Sequence, residues 1–451
     1  MADSEKQEQQ QTATQSSIDK TEEPEPSSSP ERQVDADADV ETSAMVTTPD
    51  GGFEAWATVA GAWLVLFSTF GFAYAFGVFE DYYVRVYLPS SSPSSIAWIG
   101  SVQYMLPYFL APFAGKVFDE GGFRKLEIVG AVVFSFSVFM LSLAKEGQYY
   151  QVFLAQAVGM GLGLALTFLP SVSICFHHFR KHAGLASGIA LSGSSIGASI
   201  FPIVLNRLLP RLGFATAVRV CGAIIVPCLL AGNLLMRTRL PPKKFHNWFQ
   251  HVGSFLVDPP YMWAVLANFL GLTGLYFPVV YIQLFSIQHG IDHNLAFYSV
   301  TMLNAFGTVF RLLGTHWADI FGPLLVEMVC TMGAGIMIFA MLAMNTTAAL
   351  VIISILYGTF YSTWLALGFA CFASLAKGPE EIGARGGLAL VFGSIGTLVS
   401  SPIQGALLTQ EYHWIRPIAF SGTMGVAATG CFLVAYVLHR WRGGGMVGDG
   451  H

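Results

Sequence analysis

The sequence predicts an all-α membrane protein, with about twelve transmembrane helices arranged as two six-helix bundles. Three observations lead there. Of 451 residues, 53% are hydrophobic and only 11% are charged, whereas a soluble chain carries roughly a quarter charged residues. Apolar runs of the roughly 20 residues that a bilayer requires follow one another from Ala55 to Leu438. The first six runs and the last six share ordered motifs. A soluble helical protein of this size would need charged outer faces, and the runs lack them.

Residues 1–50 come first. They hold thirteen of the 28 acids, among Gln, Ser, Thr and Pro. Such a segment buries too little apolar surface to order itself, so a disordered acidic cytoplasmic tail is expected. The net charge of −5 belongs to that tail, since the remainder carries 20 basic and 15 acidic residues. No cleavable signal is expected, because the first apolar run begins only near Ala55. The expected spans are 55–79, 95–115, 126–144, 149–175, 183–205 and 213–236, then 260–286, 295–315, 322–343, 348–372, 384–408 and 415–438. The N-terminal bundle is 51–236 and the C-terminal bundle 259–440, with a short cytoplasmic tail at 441–451. In the 237–258 linker, Phe245, Trp248, Phe249, Val252, Phe255 and Leu256 recur at helical spacing after Lys243 and Lys244. That pattern predicts an amphipathic helix on the inner membrane face.

The halves repeat. Gly115-Lys-Val-Phe-Asp119-Glu-Gly-Gly122 follows the second run, and Gly314-Thr-His-Trp-Ala-Asp319-Ile-Phe-Gly322 the eighth. In the fifth run stand Gly188-Ile-Ala-Leu, Gly193-Ser-Ser-Ile-Gly197 and Pro202-Ile203. In the eleventh stand Gly387-Leu-Ala-Leu, Gly393-Ser-Ile-Gly396 and Pro402-Ile403. Two ordered matches about six helices apart indicate a duplicated bundle with parallel pseudo-symmetry. Lys and Arg set the orientation. Lys116, Arg124, Lys125, Arg180, Lys181, Arg237, Arg239, Lys243, Lys244, Lys377, Arg385, Arg440 and Arg442 fall on the N-terminal side, against only Arg85, Lys145, Arg207, Arg211 and Arg416 opposite. Both termini are therefore expected in the cytosol.

Before the first helix stands Asp50-Gly51-Gly52-Phe53-Glu54-Ala55-Trp56, and the helix continues Gly71-Phe-Ala-Tyr74-Ala-Phe-Gly77. The junction of helices four and five reads Phe179-Arg-Lys-His-Ala183-Gly-Leu-Ala-Ser-Gly188. With the Asp119-x-x-Gly122-x-Arg124 loop, this resembles the monocarboxylate-transporter branch of the major facilitator superfamily, in its fungal form, over residues 49–440. The resemblance implies the major facilitator fold, transport by alternating access, and a solute site between the bundles. It places Tyr74 in helix one and Tyr276 in helix seven. Two departures stand out. Val78 occupies the place of the family's helix-one Lys. Gly307 replaces an Asp four residues before Arg311. Both family residues handle protons and carboxylates. Fungal members commonly lack them, and some carry other solutes, including riboflavin.

Arg311 is the sharpest candidate. A guanidinium inside hydrocarbon costs at least ~2.5 kcal/mol, so it needs a wet cavity or a partner. Its planar fork can grip a carboxylate through two parallel hydrogen bonds. Asn304 lies two turns earlier on nearly the same face. Tyr74, Tyr276 and Trp364 can hydrogen-bond a solute and pack against it. Arg219 is expected to snorkel or to pair with Glu80 or Asp81, and His177 and His178 to be interfacial. Asp119, Gly122, Arg124, Asp319 and Gly322 are expected to gate the rocking of the bundles.

No catalytic or metal-binding constellation is present. The six cysteines lie in apolar runs without Cys-x-x-Cys spacing, and no Walker loop, Gly-x-Ser-x-Gly or His-Glu-x-x-His occurs. The reading is a secondary transporter or facilitator of a small monocarboxylate-like organic anion, not an enzyme. It sits in a lipid bilayer, that of the plasma or the vacuolar membrane. No cofactor, nucleic acid or obligate protein partner is expected. Proton coupling is left open, with Glu80 and Asp81 as substitutes for the missing carboxylate. A facilitator of another solute such as riboflavin, and a non-transporting nutrient sensor, are the alternatives.

Overall fold

A computed structural model describes residues 51–179, 182–239, 241, 252–377, 381–409 and 411–445. The acidic tail, and most of the linker with its expected amphipathic helix, lie outside these residues. The described residues are helical, without strands. Ten continuous segments are long and apolar enough to cross a membrane.

The first bundle comprises α1 (Phe53–Tyr87), α2 (93–117), α3 (Phe123–Leu143), α4 (Tyr149–His177), α5 (183–212) and α6 (214–235). The second comprises α7 (Pro259–Gln288), α8 (His293–Phe321), α9 (Pro323–Ala340), α10 (Thr347–Ser374), α11 (Ile382–Leu408) and α12 (Ile415–Gly445). These twelve helices follow the expected spans in order, most of them longer than their apolar runs. The extra turns carry aromatic and charged residues that continue a helix without adding hydropathy. The α1 extension to Tyr87 is one case.

α5 and α6 follow one another directly and are separated by a kink at Gly213, with φ 73° and ψ 173°. An L side chain disfavours that conformation, and glycine allows it. The packing against α1 confirms the fold-back. Trp63 donates from Nε1 to Ser192 at 3.2 Å, and Phe72 packs on Phe201, so α1 and α5 run in parallel. Gly61 meets Gly232 while Phe79 meets Phe214, so α1 and α6 run in opposite directions. The second half repeats this. Tyr261 donates to the Arg385 carbonyl at 2.7 Å and Ser400 to the Thr273 carbonyl at 2.8 Å, which makes α7 and α11 parallel. Gly274 meets Ser421 while Asp258 pairs with Arg442, which makes α7 and α12 antiparallel.

The matched glycines explain the repeat physically. A Cβ on Gly197 would lie 2.5 Å from the Phe67 carbonyl oxygen, and one on Gly396 would lie 2.5 Å from that of Phe269. In a bilayer, small residues let two helix backbones touch, and dispersion then holds them together. The outward faces are apolar. Phe136 is 64% exposed and Leu234 68% exposed, as a lipid-facing surface requires.

Between α6 and α7 a short helix, Val252–Leu256, ends the linker. Phe255 was expected on a membrane-facing stripe. It is instead fully buried, with the Arg385 guanidinium 4.9 Å from its ring centre. Arg385 in turn donates to Asp258 at 2.7 Å and to Glu381 at 2.8 Å, and Arg442 donates to Asp258 at 2.6 Å. This knot ties the start of α7 to the start of α11 and the end of α12.

Candidate functional site

α1 and α7 are both interrupted near their middles, at Tyr74–Ala75 and at Leu275–Tyr276. A helix break in hydrocarbon frees carbonyls that need other donors. Tyr104 of α2 donates to the Ala73 carbonyl at 2.6 Å, and Tyr357 of α10 donates to the Leu275 carbonyl. Each break is therefore held by a phenol from another helix, and each leaves its own tyrosine at the seam between the bundles.

From these breaks a ribbon of rings crosses the seam. Tyr74 stacks on Tyr104 with centroids 5.9 Å apart. Tyr104 lies 5.9 Å from Tyr276, and Tyr276 meets Tyr361 edge-on at 5.8 Å. Tyr361 continues to Trp364 at 6.1 Å. The hydroxyls of Tyr108 and Tyr276 approach to 3.4 Å across the seam. Such contacts contribute about 0.5–1.5 kcal/mol each beyond area burial.

Arg311 of α8 joins this cluster. It is only 5% exposed, so it does not snorkel to an interface. Its Nη1 donates to the Leu191 carbonyl of α5 at 3.3 Å, and Tyr74, Tyr108 and Tyr361 lie within electrostatic range. Among the described residues, its Nε, the Tyr361 hydroxyl and the Trp364 indole nitrogen make no hydrogen bond. Arg311 takes part in no ion pair among those residues either. An orphaned buried donor costs about 1–3 kcal/mol. An added acceptor here could satisfy several at once.

Four of the five expected solute residues are thus together: Arg311, Tyr74, Tyr276 and Trp364. Asn304 is not joined to them. Its amide donates back to the Val300 carbonyl at 2.9 Å in its own helix. Sequence reasoning missed Tyr104, Tyr108 and Tyr361. Their signal was spacing: Tyr104 and Tyr108 stand at i, i+4, and Tyr357, Tyr361 and Trp364 at i, i+4, i+7, one helical face each. Gly307 presses against Ser362 and the Gly358 carbonyl and leaves no room for a side chain.

The expected gate residues divide. Asp119 and Asp319 are exposed at the ends of α2 and α8. Arg124 donates to the Asn233 carbonyl of α6. The positive-φ turn glycine of the second half is Gly322, at 89°, but in the first half it is Gly121, at 87°. Gly122, the expected match, has an ordinary φ of −79° and sits beneath Val117. Arg219 pairs with neither Glu80 nor Asp81; it donates to Ser142 at 3.3 Å, and Asp81 is held by Arg85. His178 is buried and bonds the Arg237 carbonyl at 2.7 Å, so it fastens the end of α6 rather than lying at an interface. A surface groove of about 580 Å³ between α3 and α4 shares no residue with the Arg311 cluster.

Two helical bundles joined along a seam, with broken helices and a cation at that seam, define a membrane transporter. The comparisons with known proteins agree. The Major Facilitator Superfamily pattern matches residues 55–399. The chain belongs to that superfamily, and it is a transporter of the fungal MFS type, not an enzyme. It is 36% identical to the MFS-type transporter dbaD of Emericella nidulans, over 84% of this chain and 85% of the relative. It is also 36% identical to the aspyridones efflux protein apdF of the same organism, over 86% and 80%. The nucleoside transporter NupG matches in fold, with TM-score 0.67 and 14% identity, over 85% of this chain and all of that one.

Proposed function

We propose that the protein exports a small organic anion with a flat apolar body, by alternating access, from the cytosol across the plasma membrane. Both termini then lie in the cytosol. The observation that carries this reading is Arg311, buried at the bundle seam among tyrosines with no carboxylate paired to it among the described residues. A guanidinium left without a counter-ion favours a solute that brings one. The ring ribbon suits an aromatic or conjugated acid better than a very small aliphatic one. The outward direction rests on the apdF relative, whose name describes efflux.

The test is flux of a panel of aromatic acids and their neutral amides in vesicles, corrected for protein content. An ion pair at about 4 Å in a medium of effective dielectric about 20 contributes about 4 kcal/mol. Arg311→Gln should therefore lower anion flux by at least about a hundredfold, and leave any neutral solute within about threefold. Arg311→Lys keeps the charge but loses the fork, and should fall between. Near-normal anion flux through Arg311→Gln rejects the reading.

A further inference from the structure

We propose that Glu80 is a proton-binding site that couples opening of the seam, on the side away from the N-terminus, to pH on that side. The proposal rests on the alternating-access reading above but not on the solute that Arg311 takes.

Glu80 sits in the last part of α1 and is 8% exposed. Across the seam, the phenol of Tyr281 in α7 lies within electrostatic range of it. The two helices touch here: a Cβ on Gly77 would lie 3.6 Å from the Val280 carbonyl oxygen. A second cross-bundle contact seals the same side, where the Tyr281 hydroxyl and the backbone of Ser94 in α2 both approach Gly405 of α11. The titratable groups facing Glu80 are Tyr281 from α7, Tyr104 from α2, and Asp81 on its own helix. Asp81 is engaged by Arg85. Among the described residues Glu80 takes part in no ion pair.

A carboxylate held ionised in that seam would be a buried charge without a counter-ion, which is costly. The neutral acid leaves no charge to desolvate beside the phenol. When α1 and α7 part, water reaches the carboxyl and the ionised form becomes acceptable. Closing the seam therefore takes up one proton, and opening it gives the proton back. By linkage, acid on that side favours the closed seam and alkali the open one. Under the topology proposed above that side is extracellular, so external acid holds the exporter shut toward the outside.

The experiment reads the seam and needs no transported solute. Val280→Cys in the full chain is treated with a membrane-impermeant maleimide in intact cells, in the Glu80 and the Glu80→Gln backgrounds. Its labelling rate is divided at each pH by that of Gln148→Cys on the neighbouring loop, to remove the reactivity change of the thiol itself. With Glu80 present, the ratio should rise about fivefold or more from about pH 5.5 to about pH 8. With Glu80→Gln it should stay flat and low, because the amide mimics the neutral acid. Glu80→Asp keeps a titratable group and should keep the response. Ser94→Cys reads the same opening from α2. The same pH dependence in both backgrounds, or no labelling of either cysteine at any pH, overturns the proposal. Either outcome leaves the Arg311 test standing, and a failed Arg311 test leaves this one standing.

Discussion

The charge knot at the base of the second bundle makes a prediction that can be checked without a substrate. Asp258 and Arg385 are buried, with side-chain exposures of 2% and 1%, and their contact is 2.7 Å long. Asp258→Asn removes the charge and leaves Arg385 buried, with Glu381 as its remaining anion. Breaking a buried pair from one side costs about 3–5 kcal/mol, most of it the stranded charge. Arg442 also pairs with Asp258, but at 39% exposure its contribution is partly screened by water and is the smaller share of that cost. Thermal unfolding in detergent, followed by tryptophan fluorescence, is the assay. A kcal/mol moves Tm by roughly 2–4 °C in domains of 150–250 residues and less in a longer chain, so a drop of about 5 °C is expected. The pH dependence follows from the same contacts. Burial alone would raise the Asp258 carboxyl, but hydrogen bonds from Arg442 and Arg385 outweigh it and hold Asp258 below the usual range. A lowered folded value gives stability that is present above the unfolded value, about 3.9, and is lost as pH falls through the folded value. The gap between wild type and Asp258→Asn should therefore begin to narrow below about pH 4 and close only below the lowered folded value. Adding Arg385→Met to Asp258→Asn should recover stability, since apolar replacement of a whole pair is often neutral. A Tm within about 1 °C of wild type for Asp258→Asn at neutral pH, or a gap that persists in acid, refutes the reasoning.

Gly197→Val should lower Tm and surface expression, because its Cβ would lie 2.5 Å from the Phe67 carbonyl and 2.7 Å from the Gly71 Cα. Overpacking of that kind costs about 1–3 kcal/mol or more. Gly184→Ala, which meets no atom within 4 Å, is the control and should be tolerated. Trp364→Phe keeps the buried ring and loses the unpartnered N–H; flux of the preferred solute should fall about tenfold with Tm unchanged, and a parallel loss of Tm would make Trp364 a packing residue. Epitope tags on both termini should stay hidden from antibody until cells are permeabilised, and surface labelling of either end would reverse the topology.

Much of the fold was legible because a bilayer makes helices announce themselves: each pass needs about 20 apolar residues, and the chain supplies them in sequence. The helix ends were less legible. α1 continues to Tyr87 and α8 to Phe321 through residues that hydropathy does not count. The site was legible where a residue was costly. Arg311 stood out because charge is rare in such helices. Tyr104, Tyr108 and Tyr361 did not, because 14% of the chain is aromatic and three more rings carry no surprise. The partner of Arg311 could not have been read at all. It is the backbone carbonyl of Leu191, 120 residues away, and a carbonyl has no sequence signature. One signal was present and unused. Glu127 and Glu327 each stand five residues after the paired glycines Gly122 and Gly322, and both are buried in α3 and α9.

The duplication also locates the function by where it fails. The glycine contacts that hold α1 to α5 recur between α7 and α11, and the helix breaks at Tyr74 and Tyr276 recur as well. Those shared features are scaffold, since each half needs them for its own packing. The braces of the two breaks differ. Tyr104 comes from the second helix of its bundle, whereas Tyr357 comes from the fourth helix of the other. The buried cation at the seam belongs to the second half, and the buried acid facing Tyr281 to the first. A symmetric pore has no reason to carry a charge on one wall only, at a cost of at least ~2.5 kcal/mol in hydrocarbon. A solute with one acidic end does give such a reason, because it can dock in one orientation and present its charge to one bundle. Under the proposed anion-export reading, these departures from the repeat would be the residues that select the solute: Arg311 in α8, with Tyr361 and Trp364 in α10.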